Sequence, residues 1–139
     1  WDSDFLLMKT GLSKEDIRPA GLILAYPVIS SGRYANRGSF DNLLGQQPDP
    51  ALLASLSLEH QVADDTVPAF IWHTYDDGCV PVQNALLMAT ALRDHNVPLE
   101  MHIYPHGEHG LALANDQTAR DVPACQLWPE LAVAWLRAL

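Results

Sequence analysis

Two short polar segments, each directly after an apolar run, carry residue types that transfer protons in enzymes. The first reads HTYDDGCVP and holds two aspartates, and the second reads YPHGEHG and holds two histidines. A carboxylate that accepts a hydrogen bond from an imidazole selects one tautomer of the ring and stabilises its charged form. The two segments together therefore predict an acid–histidine pair that acts as a general base and then as a general acid.

Apolar runs predict the strands that position these segments. Gly21–Ala25 is apolar on both faces, which is typical of a strand buried in a parallel sheet. Val67–Thr74 is a second apolar run, enriched in aromatic residues, and Leu99–Tyr104 alternates as a strand does. Two further runs have helical spacing, Val82–His95 and Leu127–Leu139. Strands that alternate with helices predict an α/β fold in which a parallel sheet is flanked by helices.

The two polar segments follow the second and third predicted strands. In an open parallel sheet the residues that bind and react lie on loops just past the carboxyl ends of the strands. Because neighbouring strands end at the same edge of the sheet, we expect the aspartates of one loop to lie beside the histidines of the next.

The rest of the chain is less regular. Trp1–Ile17 is predicted to be the tail of a helix followed by a loop, and Ser30–Pro50 is rich in turn-forming residues. Asp49 is a predicted N-cap, with a proline at the first helical position, for a helix over Ala51–Leu56. Residues 30–58 form either a plain connection or part of a cap over a pocket, and the sequence leaves both open.

Composition limits the class of protein and of partner. The 139 residues suffice for one domain with a single core, and 48% hydrophobic against 18% charged residues is a globular composition. With 8 basic and 17 acidic residues the net charge is −9, which argues against nucleic acid as a partner. No apolar stretch approaches the roughly 20 residues that span a bilayer, so no membrane contact is expected. A small molecule is the expected partner, and the oligomeric state stays open.

The cysteine content and the first residue bear on location. Cys79 and Cys125 are too few for a disulfide scaffold and lack metal-ligand spacing, so a reducing compartment is the simpler interpretation and we expect a cytoplasmic protein. The chain begins at Trp1 and not at Met, so we expect the true N-terminus to be missing from it. The absence of a visible signal peptide is then weak evidence about location.

Three stretches resemble the α/β-hydrolase superfamily: RPAGLILAYPVISSG, PAFIWHTYDDGCVPVQNALLMATAL and VPLEMHIYPHGEHGLAL. Within it they most resemble the acetyl-xylan-esterase-like and dienelactone-hydrolase-like carboxylesterases, whose triad has the chain order Ser, Asp, His. The resemblance selects Asp77 as the acid, because Asp77-Gly-Cys-Val-Pro matches the family's D-x-x-V-P context. It selects His109 as the histidine, because Gly110 follows it. His106-Gly107 has the same form, so this choice depends on the whole loop.

The nucleophile of that family is absent from this chain. The resemblance places the G-x-S-x-G elbow and the oxyanion loop upstream, and Ser30-Ser31-Gly32 has no glycine two positions before either serine. We therefore expect residues 1–139 to be the C-terminal part of one α/β-hydrolase domain. The resemblance implies serine-type hydrolysis of a small carboxylic ester, such as an acetylated sugar or xylan, with no metal or organic cofactor. The chain alone is expected to be inactive.

Each candidate residue has a structural alternative. Asp77 is also placed to cap the helix that follows it, and His109 to bond loop backbone. Asp76 is expected to be a loop or cap residue. His73 and His102 are expected to be satisfied residues at strand ends.

Other chemistries and functions compete with the triad. The four histidines could form a zinc site, although their spacing and the lack of a cysteine pair disfavour it: His73, His102, His106 and His109. Cys79 lies beside the proposed acid, but no elbow presents it as a nucleophile. The rival functions are a serine peptidase of the prolyl-oligopeptidase type and a non-catalytic interaction domain.

Overall fold

The protein is described by a computed structural model that covers residues 4–118 and 120–139. Its strands are β1 (Leu22–Ala25), β2 (Ala69–Thr74) and β3 (Leu99–Tyr104). Its helices are α1 (Asp4–Thr10), α2 (Lys14–Ile17), α3 (Arg37–Leu44), α4 (Pro50–Ser55), α5 (Gln83–Asp94) and α6 (Trp128–Leu136), with 3-10 helices at Leu58–His60 and Pro123–Cys125. Within the covered residues, no helix combines the length and the apolar character needed to cross a membrane.

The three strands form one parallel sheet in the order β1-β2-β3. Ala25 pairs with Trp72, and Thr74 pairs with Tyr104, so the strands end close to one another. The loops that leave the carboxyl ends of β2 and β3 are therefore neighbours. The predicted α/β fold with a parallel sheet is confirmed.

Strand β2 is the centre of the core, and all six of its residues are buried. Its side chains point alternately to the two faces of the sheet. Ala69 and Ile71 pack in one cluster with residues of α5, whereas Phe70 and Trp72 pack in another with residues of α6. Burial on both faces explains why the sequence of β2 is apolar without alternation.

The predicted helix signals are present in the structure. Helix α5 occupies most of the predicted range Val82–His95. Asp49 caps α4, because its Oδ1 accepts hydrogen bonds from the N–H groups of Ala51 and Leu52, each at 2.9 Å. Helix α6 ends at Leu136, short of the predicted end at the last residue.

Two segments contain helices that the sequence did not predict. Helix α3 lies inside the stretch expected to be turns only, where the Asn36 side chain accepts from the N–H of Ser39 and only Phe40 is buried. A helix with one buried residue has no apolar stripe to reveal it. Helix α2 lies where a loop was expected, held by a capping box between Ser13 and Asp16. The first three residues of that predicted N-terminal segment lie outside the described residues.

Candidate active site

The loop after β2 encloses the carboxylate of Asp77, whose side chain has no exposed surface. Its Oδ1 accepts hydrogen bonds from the backbone N–H groups of Cys79 at 2.8 Å and Val80 at 2.9 Å. An aspartate that bonds its own backbone two and three residues on folds the chain around itself. Helix α5 has Val82 as N-cap and no side-chain cap bond. Asp77 therefore does not cap that helix.

The loop after β3 places His109 against this carboxylate. The Nδ1 atom of His109 lies 2.8 Å from Oδ2 of Asp77, across 32 positions of sequence. The His109 side chain keeps 30% of its surface exposed. The ring thus connects a buried carboxylate with the protein surface, and its bonding partner is a side chain instead of loop backbone.

The protonation states of the pair follow from these contacts. Burial by itself raises the pKa of Asp77, but the N–H of Val80, the His109 side chain and the N–H of Cys79 together bring that pKa below its usual range. The ionised carboxylate can only accept, so Nδ1 of His109 carries a proton, and in the neutral ring Nε2 is the nitrogen that holds the lone pair. Among the described residues no hydrogen bond uses this Nε2. The arrangement leaves Nε2 free to take a proton from a reacting group.

A second carboxylate–imidazole pair lies beside the first, on the surface. Nδ1 of His106 is 2.9 Å from Oδ2 of Asp76, and the two side chains are 83% and 48% exposed. The His106 side chain and the N–H of Gly107 hold the pKa of Asp76 below its usual range. Of His106 and His109, only His109 has a fully buried carboxylate partner, which is the arrangement that fixes a ring in one orientation.

Asp76 lies in the loop after β2, as expected, and it ties the two loops together. Its Oδ1 accepts from the N–H of Gly107 at 2.8 Å, and the Thr74 hydroxyl donates to the Gly107 carbonyl at 2.7 Å. A Cβ on Gly107 would lie 2.7 Å from side-chain atoms of both Thr74 and Leu111. The loop that carries His109 is therefore docked tightly on the end of β2.

Tyr26, which the sequence reasoning did not select, packs against the histidine of the pair. Its ring meets His109 edge to face at 4.9 Å between centroids, and meets Trp72 in the same way at 5.0 Å. Its hydroxyl accepts from the N–H of Ala112 at 3.3 Å, and its φ of 38° lies in the left-handed region. The available signal was an aromatic residue before a proline directly after a predicted strand.

The other two candidate histidines, His73 and His102, each have a partner of their own. His73 is buried with its Nε2 2.9 Å from the Val80 carbonyl, and His102 pairs with Glu100 at 2.9 Å. In the described part of the chain, no three His, Cys, Asp or Glu side chains are arranged to hold a metal ion.

The serines and the cysteine weighed as nucleophiles have other partners. The Ser30 hydroxyl accepts from the N–H of Gly32 at 3.1 Å, and the Ser31 hydroxyl lies 2.8 Å from that of Ser57. The Cys79 thiol lies 3.3 Å from the Asn36 amide nitrogen. Within residues 4–118 and 120–139, no hydroxyl or thiol is bonded to His109.

Asn84 is a further residue that the sequence reasoning missed. It is completely buried at the start of α5, and its Oδ1 accepts from the N–H groups of Ile29 and Ser30 at 3.0 and 2.9 Å. Its amide donates to the carbonyls of Tyr34 and Pro81 at 2.9 and 3.0 Å. Asn84 thereby joins the segment after β1 to the loop that carries the acid. A polar residue beside the apolar stripe of α5 was its signal.

Comparison with known proteins places the chain in a family. Residues 32–128, more than half of the chain, match the model of the prolyl oligopeptidase family. Over 100 residues the chain is 49% identical to endo-1,4-beta-xylanase B of Butyrivibrio fibrisolvens, a match that covers 72% of this chain and 16% of that protein. Over 121 residues it is 34% identical to acetylxylan esterase of Xylanibacter ruminicola, covering 80% of this chain and 25% of that protein.

Solved structures agree with the sequence matches. The acetyl ester-xyloside bifunctional hydrolase from Caldicellulosiruptor lactoaceticus matches with a TM-score of 0.81 and 46% identity, over 87% of this chain and 43% of that one. The chain thus spans a quarter or less of the two relatives and under half of the solved structure. The predicted resemblance to acetyl-xylan-esterase-like α/β-hydrolases is confirmed, and the chain belongs to the prolyl oligopeptidase family of α/β-hydrolases.

Proposed function

We propose that this chain supplies the acid and the histidine of a serine carboxylesterase that removes acetyl groups from sugars such as xylan. One observation carries the proposal. The buried Asp77 carboxylate holds Nδ1 of His109 at 2.8 Å, and Nε2 of the same ring is left unbonded by the described residues. A lone pair on an imidazole fixed in this way is what a general base requires.

The names of the related proteins support the substrate class. One relative is an acetylxylan esterase, and the matching solved structure is an acetyl ester-xyloside bifunctional hydrolase. The endo-1,4-beta-xylanase B match, at 49% identity, points to the same polysaccharide. An ester of a small acyl group on a sugar hydroxyl is therefore the substrate that we propose.

In the proposed mechanism a serine from a preceding segment attacks the acetyl carbonyl. Nε2 of His109 takes the serine proton as the C–O bond forms, and donates it to the sugar oxygen as the old ester bond breaks. Water then attacks the acetyl-enzyme while Nε2 of His109 takes its proton, and the same nitrogen returns the proton to the serine oxygen as the acetyl–serine bond breaks and acetate leaves. The charge of Asp77 stabilises the imidazolium formed in each step and keeps its Nδ1 facing away from the substrate.

The free edge of the sheet supports the proposal that an upstream segment completes the domain. Within the described residues β1 pairs only with β2, and Ile23 at its middle is 41% exposed. A cavity of about 440 Å³ next to β1 is lined mainly by apolar side chains, among them Leu22 and Leu24. An unpaired strand with an apolar surface is a site where another strand adds. We propose that the strand before the nucleophile pairs here.

The test uses the protein that carries this chain together with the segment before it. We expect the protein to react with a fluorophosphonate probe and to release acetate from acetylated xylo-oligosaccharides. His109→Ala should abolish both activities. His102→Ala is the matched control, because this imidazole binds Glu100 and does not contact the acid. Full turnover by His109→Ala, or a wild-type protein that does not react with the fluorophosphonate, would exclude the proposal.

A serine peptidase is the second candidate, because the matching family is described as the prolyl oligopeptidase family. The same pair would then protonate an amine leaving group in place of a sugar alcohol. A chromogenic glycyl-prolyl amide distinguishes the two functions. We expect cleavage of the acetyl ester and not of this amide, and the opposite preference would favour the peptidase.

A further inference from the structure

We propose that His73 is a positioning residue for the Asp77–His109 pair. Its buried imidazole holds the acid loop through Nε2–H, from the side away from solvent. The inference depends on the function proposed above, because it concerns how that same site is oriented. His73 itself takes no part in the proton transfers proposed for His109.

The position of His73 brings one ring atom to two oxygens of the acid loop. The residue lies near the carboxyl end of β2 and its side chain has no exposed surface. Nε2 lies 2.9 Å from the carbonyl oxygen of Val80 and 3.3 Å from Oδ2 of Asp77. A lone pair on Nε2 would repel both oxygens. The proton therefore sits on Nε2, which donates to Val80 and faces Asp77.

The other ring nitrogen shows that His73 does not carry a second proton. Nδ1 is buried and has no hydrogen-bond partner in the described part of the chain. A proton on Nδ1 would be an unpaired donor in the core, which is unfavourable. Burial lowers the pKa of His73, and the charge of His109 adds to this effect, whereas the Val80 carbonyl and Asp77 act in the opposite direction. The net direction is downward, so the ring stays neutral.

A neutral His73 leaves the charge of Asp77 to His109. Oδ2 of Asp77 faces both rings, at 2.8 Å from His109 and 3.3 Å from His73. A cationic His73 would compete with the imidazolium of His109 for the same oxygen, whereas a neutral N–H only orients it. Oδ1 is held by the N–H groups of Cys79 and Val80, so both carboxylate oxygens have fixed directions.

The contacts close into a ring of bonds through the backbone of the loop. His73 donates to the Val80 carbonyl, and the Val80 N–H donates to Asp77. The rigid central strand therefore sets the position of the loop, and the loop sets the position of the acid. Displacement of a reacting group by about 1 Å can reduce catalysis by about 100-fold, so such a connection matters for rate.

The experiment compares amide replacements that mimic one ring nitrogen each. In the same complete protein, the amide nitrogen of His73→Gln reaches the position of Nε2, and that of His73→Asn reaches the position of Nδ1. We expect the Gln variant to keep kcat/KM for an acetyl ester close to wild type. The Asn variant and His73→Phe should lower it by about 10- to 100-fold with little change in KM. The matched control is His102→Asn, which should leave kcat/KM unchanged.

A spectroscopic readout keeps the inference testable independently of turnover. The hydrogen-bonded Nδ1–H of His109 gives a low-field proton resonance, which should persist in the Gln variant and broaden or vanish in the Asn and Phe variants. Circular dichroism shows whether each variant folds. If the wild type shows the resonance but hydrolyses no ester, the proposed function fails. The difference in the resonance between the Gln variant and the Asn and Phe variants still tests the positioning role. Equal losses in Gln and Asn, or an intact resonance in all three, would overturn the positioning role.

Discussion

Replacement of Asp77 by asparagine changes the chemistry of the pair while keeping most of the loop geometry. The amide oxygen can still accept from the N–H groups of Cys79 and Val80, which now bind Oδ1 at 2.8 and 2.9 Å. The amide nitrogen must then take the place of Oδ2, opposite Nδ1 of His109 at 2.8 Å. Since that nitrogen can only donate, His109 must present a lone pair on Nδ1 and carry its proton on Nε2. The ring can no longer accept a proton from the nucleophile.

The magnitude follows from the loss of the correct tautomer. A wrong tautomer in a serine–histidine–aspartate triad lowers kcat by about 10⁴-fold, which at about 1.36 kcal/mol per tenfold is about 5.4 kcal/mol of barrier. The free energy of unfolding should fall less, by roughly 1.5–3 kcal/mol, because one charge-assisted hydrogen bond is lost and two backbone bonds remain. KM should change little, because the acid does not reach the substrate.

The assay is acetyl ester hydrolysis at neutral pH by the protein with its upstream segment, together with urea unfolding of the same samples. Asp64→Asn is the matched control, because Asp64 forms a carboxylate–imidazole contact of 2.7 Å with His95 on the surface, where it is 92% exposed. We expect this control to retain full activity. A kcat for Asp77→Asn within tenfold of wild type would refute the tautomer argument and the role given to the pair.

Three further predictions use neighbouring contacts. The free energy of unfolding should decrease as the pH falls below 6.5, the ordinary imidazole pKa, because His73 binds a proton in the unfolded chain that the buried ring excludes. It should decrease again below pH 3.8, the ordinary carboxyl pKa, because the pKa of Asp77 is lowered in the folded protein. Urea titrations at several pH values measure this, and His73→Phe should flatten only the first decrease. Asp76→Asn should reduce kcat/KM by less than about tenfold, since its amide oxygen can still accept the N–H of Gly107. A loss as large as that of Asp77→Asn would show that Asp77–His109 is not the catalytic pair. Tyr26→Phe should keep the edge contact with His109 and near-normal kcat, whereas Tyr26→Ala should lower kcat by about tenfold. Equal rates for the two variants would show that the Tyr26 ring does not contribute to the site.

Local signals were sufficient for much of the fold. The apolar run over residues 67–74 predicted the strand β2, and Asp49 before a proline predicted the start of α4. These features depend on residues within one or two turns of each other, so a pattern along the chain contains them. Helix α3 was not predicted, because its single buried residue, Phe40, gives no hydrophobic periodicity.

The sequence by itself indicated two loops with two acids and two histidines, and a family resemblance selected Asp77 and His109, whose catalytic role stays a prediction. Which acid meets which histidine was decided by tertiary structure alone. Bonds across 30 and 32 positions depend on the register of β2 against β3 and on the docking of Gly107 on Thr74. The contributions of Tyr26 and His73 have the same origin, since burial and the distance between strand ends exist only after the sheet has formed.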